Sequence, residues 1–400
     1  MKRKIIVFLI LAGFVFVPKI ISAQDKLQVT PSTTSHVQSF AVTKPAPKVK
    51  PFDLIIKPTP TLKILDVIMP LTTQEEGGGA RPEIIFLDNN WFLVYRDSLI
   101  IASSFRFKDF GQELAEGIRS KTLISSSVNG GVTDIRLAKN GSDVYAAYEM
   151  ASTSTRKLFI AKYDKQFKLA ASAQVAEAVA NQPQQEALDD PVVVVGNNLL
   201  YVMTRLNGGY RIREFKLDLT STGKVIDIDM SSDAGVASAV YVNGNFYVVT
   251  SLYVSGRALC PAADSTTNND LYVFVYDKNW RFTGTSKTVT SEANIEYYPT
   301  SLKYANERFY ITYLENGPDT YLPDCETEGS VGTGAAAMVI LDKDLNPLIN
   351  QKISDQGQLT NHPTLEVIDD KVYVVYGLKE DSTGIGPDSS NIWLREFQYK

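Results

Sequence analysis

Between Thr61 and Lys400 the chain repeats one unit six times, and a repeat of this period limits the fold to architectures made by stacking or closing equivalent supersecondary units. Each unit opens with a strand-like run, turns through Asn, Asp or Gly, and continues into an aromatic strand. The aromatic strands read WFLVY (ending at Tyr95), VYAAY (Tyr148), LYVMT (Thr204), FYVVT (Thr250), FYITY (Tyr313) and VYVVY (Tyr376). Their last residues stand 53, 56, 46, 63 and 63 positions apart. Ahead of them lie PEIIFLD from Pro82, TDIRLAK from Thr133, PVVVVGN from Pro191, ASAVYVN from Ala237, PTSLKYA from Pro299 and PTLEVID from Pro363. The intervening turns, such as Asn140-Gly141 and Asn243-Gly244, are of hairpin type, because Asn, Asp and Gly tolerate positive φ. The 20 Tyr, against 3 Trp and 2 His, therefore have a place in the strands.

After a variable loop comes a third strand, for example LFIAKYD from Leu158 or LYVFVYD from Leu271, and in the first five units a fourth, such as KVIDIDM from Lys224. The sixth unit stops at Lys400 with no fourth strand, while an unassigned strand-like piece, TLKILDVIM, precedes the first unit at Thr61–Met69. The economical reading pairs that piece with the last unit and closes a ring. Six four-stranded units closed in this way resemble the β-propeller superfamily over residues 61–400. The resemblance implies an all-β, six-bladed β-propeller closed by an N-terminal strand completing the last blade. It is to an architecture and carries no chemistry with it. Trp91, Trp280 and Trp393 lack the following Asp of WD40 repeats, and Ser231-Ser232-Asp233-Ala234-Gly235 has the letters of a sialidase Asp box but falls between blades.

Residues 1–23 read as a secretory signal peptide: Lys2, Arg3 and Lys4, an apolar run from Ile5 to Val17, then Ser22-Ala23. The run is too short for a membrane span, so the mature chain is expected without a transmembrane segment, in a secreted, periplasmic or cell-surface setting. Removing it would take the net charge from −5 to −9, which disfavours nucleic acid as a partner. Residues 24–60 are rich in Pro, Ser, Thr and Lys and read as an extended tether. The 44% hydrophobic content of the chain excludes wholesale disorder.

In an exported chain two cysteines normally pair, and Cys260 and Cys325 occupy equivalent loops between the second and third strands of blades four and five. A Cys260–Cys325 disulfide is expected, free thiols being the other reading. These two loops and that of blade six are long, which marks them as a binding surface. Candidate contacts there are Asp319, Asp324 and Glu326, and Asp264, Asp270 and Glu328 offer hard oxygens for calcium; no other cofactor is indicated. The calcium-loop-like string Asp342-Lys343-Asp344-Leu345-Asn346 fails at Pro347, and the equivalents at Asp164, Asp218 and Asp277 mark it as a turn cap.

The second place for a site is the ring's mouth, just before the first strands, where Arg81, Asp190, Glu296, Tyr297, Tyr298 and His362 stand. Asp190 with Glu296 provides a carboxylate pair for acid and base work on a glycoside, Arg81 would hold an anionic group, and His362 would relay a proton. The reading taken from the sequence is an exported, non-catalytic propeller that binds a protein or polysaccharide partner at the cell surface through its loop-rich face. The alternative is a carbohydrate-active hydrolase or lyase with its site at the channel mouth.

Overall fold

The computed structural model describes residues 62–399 apart from 73–79, 98–103, 113, 115–120, 126–129, 180–185, 231–233, 255–267, 291–294, 317–333, 356–357 and 380–389. All of these belong to the unit Pro58–Lys400. After β1 (Leu62–Pro70), blade one holds β2 (Ala80–Leu87), β3 (Asn90–Arg96), β4 (Phe105–Gly111) and β5 (Lys121–Ile124). Blade two holds β6 (Gly130–Asn140), β7 (Asp143–Ser152), β8 (Thr155–Tyr163) and β9 (Leu169–Val179), and blade three β10 (Glu186–Gly196), β11 (Leu199–Leu206), β12 (Gly209–Lys216) and β13 (Ser221–Asp229). Blade four is β14 (Ala234–Val242), β15 (Asn245–Val254), β16 (Asn268–Asp277) and β17 (Phe282–Thr288); blade five is β18 (Ile295–Ala305), β19 (Arg308–Asn316), β20 (Ala335–Asp342) and β21 (Pro347–Lys352). Blade six takes β22 (Leu359–Ile368), β23 (Lys371–Lys379) and β24 (Ser390–Tyr399). Each blade is a four-stranded antiparallel meander, and β1 lies as the outer strand against β24, with Leu62 opposite Tyr399 and Pro70 opposite Trp393.

Burial follows position within the blade. The second strands are apolar without alternation, as in β3, where Phe92, Leu93, Val94 and Tyr95 are all buried, because a blade packs on both of its faces. The fourth strands face water, and β17 is exposed throughout. Six apolar cores fill the six spaces between neighbouring blades, the last joining Val375, Ile392 and Leu394 of blade six to Ile84, Trp91, Leu93 and Tyr95 of blade one. The ring is closed by hydrophobic burial between blades six and one, to which Leu71, directly after β1, also contributes. Tyr95, Tyr148, Tyr313 and Tyr376, recurrent at one repeat position, are buried packing residues of these cores.

The hairpin turns have the positive φ their composition demands, at Asp88 (49°) and Asn89 (62°), Asn197 (51°) and Asn198 (59°), and Asn243 (50°) with Gly244 (88°). After the third strand the capping reading of the aspartates also holds. Asp277 Oδ1 accepts from the backbone N–H of Asn279 (2.8 Å) and Arg281 (2.9 Å), and Asp342 Oδ1 from Asp344 (2.9 Å) and Asn346 (2.8 Å). Each such turn folds an apolar residue at positive φ back into an inter-blade core: Phe167, Leu219, Trp280 and Leu345 are all buried.

Candidate active site at the channel mouth

Every first strand carries a β-bulge near its start, with the register slipping between Ala80 and Glu83, Val132 and Ile135, Ala187 and Val192, Ala234 and Ala237, Tyr297 and Ser301, and Asn361 and Thr364. A bulge inserts residues that the neighbouring strand does not match, bends the strand and re-aims a side chain. In four blades the re-aimed residue is polar and precedes proline: Arg81-Pro82, Asp190-Pro191, Tyr298-Pro299 and His362-Pro363. All four have positive φ, at 52°, 48°, 58° and 40°. Non-glycine residues adopt this conformation at a cost of about 1–3 kcal/mol, and the residue before proline is ordinarily held extended.

The backbone carbonyls around the bulges find acceptor roles across blade boundaries. Thr364 Oγ1 donates to Pro82 O (3.0 Å), Thr312 Oγ1 to Pro363 O (2.6 Å), Tyr210 Oη to Gly235 O (2.7 Å) and Arg96 Nη1 to Thr133 O (3.4 Å). Adjacent blades thereby fix each other's bulges, and the strained residues are held by structure outside their own strand.

Counting back six residues from the hairpin ends Leu87, Asn140, Gly196 and Ile368 gives Arg81, Asp134, Asp190 and His362, one equivalent position in four blades. The ring brings them together. Arg81 Nη1 pairs with Asp134 Oδ1 and lies 3.8 Å from Asp190 Oδ1; Arg136 Nη2 is 3.7 Å and His362 Nε2 3.9 Å from the same oxygen. Tyr298 Oη donates a hydrogen bond to Asp190 Oδ2, and its ring stands edge-on to His362 at 4.9 Å between centroids. Side-chain exposure is 21% for Arg81, 8% for Asp190, 3% for His362 and 2% for Asp134, so Arg81 forms the roof and the other three the floor.

Burial alone would raise the Asp190 carboxyl, but His362, Arg81 and Arg136 around it hold it well below the usual carboxylate range. Burial, reinforced by the Arg81 charge, pushes His362 down to about 3, so the imidazole is neutral near neutral pH. Burial and the Asp190 charge push the Tyr298 phenol up, which keeps its proton on the bond to Asp190. Below the mouth, Arg136 reaches Glu83 (3.2 Å), and further along a cavity of about 320 Å³ Glu366 lies between Lys139 (3.1 Å) and Lys303 (3.7 Å). Burial raises Glu83 above the ordinary carboxylate value.

Asp134, Asp190 and His362 place ligand atoms within 4.8 Å of one another, the spacing of a metal trio. The donor set does not suit an ion, because the Arg81 guanidinium already pairs with Asp134 and approaches Asp190, and Arg136 stands on the other side. Of the six mouth residues read from the sequence, Arg81, Asp190, Tyr298 and His362 converge. The side chains of Glu296 and Tyr297 lie outside the described residues, as do Asp264, Asp319, Asp324, Glu326, Glu328, Cys260 and Cys325. Asp270 is described, buried on β16 opposite Leu252.

Asp134, Arg136 and Glu83 are site residues that sequence reasoning missed. Blade two has no proline to mark its bulge, and Asp134 lies inside the first-strand run TDIRLAK instead of ahead of it. A signal was present in the charges of TDIRLAK and PEIIFLD, which interrupt strands that are otherwise buried on both faces.

No family model and no curated protein matches the chain. Solved structures do resemble it. A phage phi92 endosialidase is 10% identical, with a TM-score of 0.54 over 85% of this chain and 69% of that one. An α-L-arabinofuranosidase from Fusarium graminearum is 9% identical, with a TM-score of 0.50 over 85% and 98%. A Trypanosoma rangeli sialidase is 9% identical, with a TM-score of 0.50 over 84% of this chain and 59% of its own length. At such identities the shared feature is the propeller fold. The expectation of a non-catalytic binding propeller is corrected at this point. The similar solved rings named above are glycoside-cleaving enzymes, and the mouth residues gather into one strained, buried constellation instead of scattering. Among the described residues no helix is long and apolar enough to cross a membrane.

Proposed function

We propose that this chain is a carbohydrate-active hydrolase or lyase whose site is the mouth of the propeller channel. The observation that carries the reading is Asp190: an ionised, buried carboxylate at a strained bulge, touched by two guanidiniums, a phenol and a neutral imidazole. Positive charge developing at a sugar ring would be stabilised by such a carboxylate. Glu296, two residues before Tyr298 on β18, is the proposed proton donor, and Arg81 the group that meets an anionic or hydroxyl-rich substrate first. Second strands end opposite the starts of first strands, as in Ala80 with Arg96, Ile295 with Asn316 and Leu359 with Lys379. The names of the similar structures support a glycosidic substrate.

The test is a panel of polysaccharides and aryl glycosides assayed with the mature protein, Asp190→Asn and Glu296→Gln. Loss of about 10²-fold or more in kcat for each variant is expected. A wild-type protein inactive on the whole panel, or an Asp190→Asn variant of undiminished rate, would overturn the reading. Export through residues 1–23, the Cys260–Cys325 bridge and calcium at Asp264, Asp270 and Glu328 belong to the same proposal. Mass spectrometry with and without reductant tests the bridge.

A further inference from the structure

Beneath the mouth the channel holds a second chamber, the cavity of about 320 Å³. Its walls follow from the register of the first strands. Four residues back from the hairpin ends Leu87, Asn140, Gly196 and Val242 stand Glu83, Arg136, Val192 and Ser238. Two residues back, in blades three to six, stand Val194, Val240, Lys303 and Glu366. Side chains two apart on a strand point to the same side, so these residues form two successive tiers around the cavity. Arg136 is the partition between chamber and mouth. Its Nη2 lies 3.7 Å from Asp190 Oδ1 on the mouth side, and its Nη1 donates to Glu83 Oε1 (3.2 Å) in the cavity wall. Beyond that floor side-chain exposure rises to 26% at Lys303 and 42% at Lys139, so the chamber opens toward the hairpin turns, away from the mouth.

The two halves of the wall differ in chemistry. Blades five, six, one and two supply Lys303, Glu366, Glu83 and Arg136, whereas blades three and four supply Val192, Val194 and Val240 with the hydroxyl of Ser238. On the charged side two buried groups have hydrogen-bonding capacity that the protein leaves unused. Arg136 is 6% exposed, and its buried Nε has no acceptor among the described residues. Glu366 is 4% exposed; its Oε1 accepts from Lys139 Nζ (3.1 Å), while its buried Oε2 has no hydrogen-bond donor among the described residues, Lys303 Nζ standing 3.7 Å away. Leaving a buried donor or acceptor without a partner costs stability, most of all on a charged group. A small anion would satisfy Arg136 but be repelled by Glu366, and a cation would do the reverse. A hydroxyl group both donates and accepts, so a hydroxyl-rich, uncharged molecule satisfies both. A sugar ring has such hydroxyls on its rim and an apolar C–H face for the valines opposite. The volume stands at the lower end of the range of about 300–1,000 Å³ for ligand pockets, which suits a single ring.

We propose that this chamber binds one uncharged monosaccharide, entered from the hairpin-turn end, with hydroxyls on Arg136 Nε and Glu366 Oε2 and the C–H face against Val192, Val194 and Val240. It is a second sugar site, separated from the mouth by Arg136. The proposal does not rest on the activity proposed above, because the chamber's own donors, acceptors and apolar wall carry it.

The test is titration calorimetry of the mature protein with D-glucose, D-galactose and L-arabinose, and with N-acetylneuraminate and orthophosphate as anionic probes. Wild type is compared with Glu366→Ala, with Ser238→Phe, whose ring fills the deeper tier, and with Asp190→Asn at the mouth. Saturable binding of at least one neutral sugar is expected, equal in wild type and Asp190→Asn. Glu366→Ala and Ser238→Phe should each raise the dissociation constant about tenfold or more. Cooperative thermal unfolding establishes that each variant is folded, and either of the two chamber variants suffices for the comparison. No saturable heat with any neutral sugar, tighter binding of orthophosphate or N-acetylneuraminate than of every neutral sugar, or binding lost in Asp190→Asn and kept in the chamber variants would overturn the proposal. None of these results bears on whether the mouth cleaves glycosides, which is read from turnover alone.

Discussion

The chain has only two histidines, His36 and His362, and only the second belongs to the ring, so its titration can be isolated. Replacing His362 by Gln removes one group whose proton the folded protein refuses. In the unfolded chain a histidine takes its proton near pH 6.5, whereas burial and Arg81 hold His362 in the fold to about 3. Between those values the unfolded state binds one proton more than the native state, so stability falls as pH falls, by up to about 1.36 kcal/mol per pH unit. Integrated from about pH 7.5 to about pH 4.5, the loss is about 2.7 kcal/mol, and below about 3 it levels off. For a ring of roughly 340 residues, with about 2.1 cal/mol/K of unfolding entropy per residue, this corresponds to a shift in Tm of about 4 °C. Asp190, with its native value depressed, contributes stability that is present above about pH 4 and lost below it, so it lies under the window. Glu83 and Glu149, raised by burial, carry the opposite sign and are common to both proteins. The assay is urea unfolding of wild type and His362→Gln across that range. The two curves of stability against pH should converge toward acid by about 2.7 kcal/mol. Parallel curves would refute the buried neutral imidazole, whatever the absolute cost of the substitution.

Two further expectations concern the joints between blades. A Cβ on Gly196 would stand 2.6 Å from Tyr241 Cγ and 2.9 Å from Phe246 Cε1, both ring atoms in the core between blades three and four, so Gly196→Ala should cost about 1–3 kcal/mol by overpacking, read from the denaturant midpoint. Tyr210→Phe removes the hydroxyl that donates to Gly235 O at 2.7 Å and bonds the buried Thr250 Oγ1 at 2.5 Å, leaving a half-buried carbonyl at the bulge of blade four; a loss of about 1 kcal/mol with an unchanged unfolding slope is expected in the same experiment.

The ring was legible because its period is written locally. Asn-Gly turns, aromatic second strands and Asp caps recur blade after blade, and each is dictated by residues within a few positions of one another, which a linear reading can count. The proline-marked mouth residues were legible for the same reason. Arg81, Asp190, Tyr298 and His362 each stand before a proline at the start of a first strand, and the prolines mark four of the six bulges. Asp134 had no such mark. Its place in the site depends on a bulge between Val132 and Ile135 that shows only as unmatched residues against β7, and pairing between strands is not a local property.

What the sequence determined by itself was therefore the unit and its number: six meanders, each with one strand too apolar to face water on either side. Stacking such units into a ring is the way that surface is buried. Which charges meet was decided by the tertiary structure alone. Arg81, Asp134, Asp190 and His362 come from four blades, the first and last 281 residues apart, and act on one another only because ring closure points equivalent bulges at a common axis. Once there, burial and the neighbouring guanidiniums, which no single blade supplies, set the protonation of Asp190 and His362.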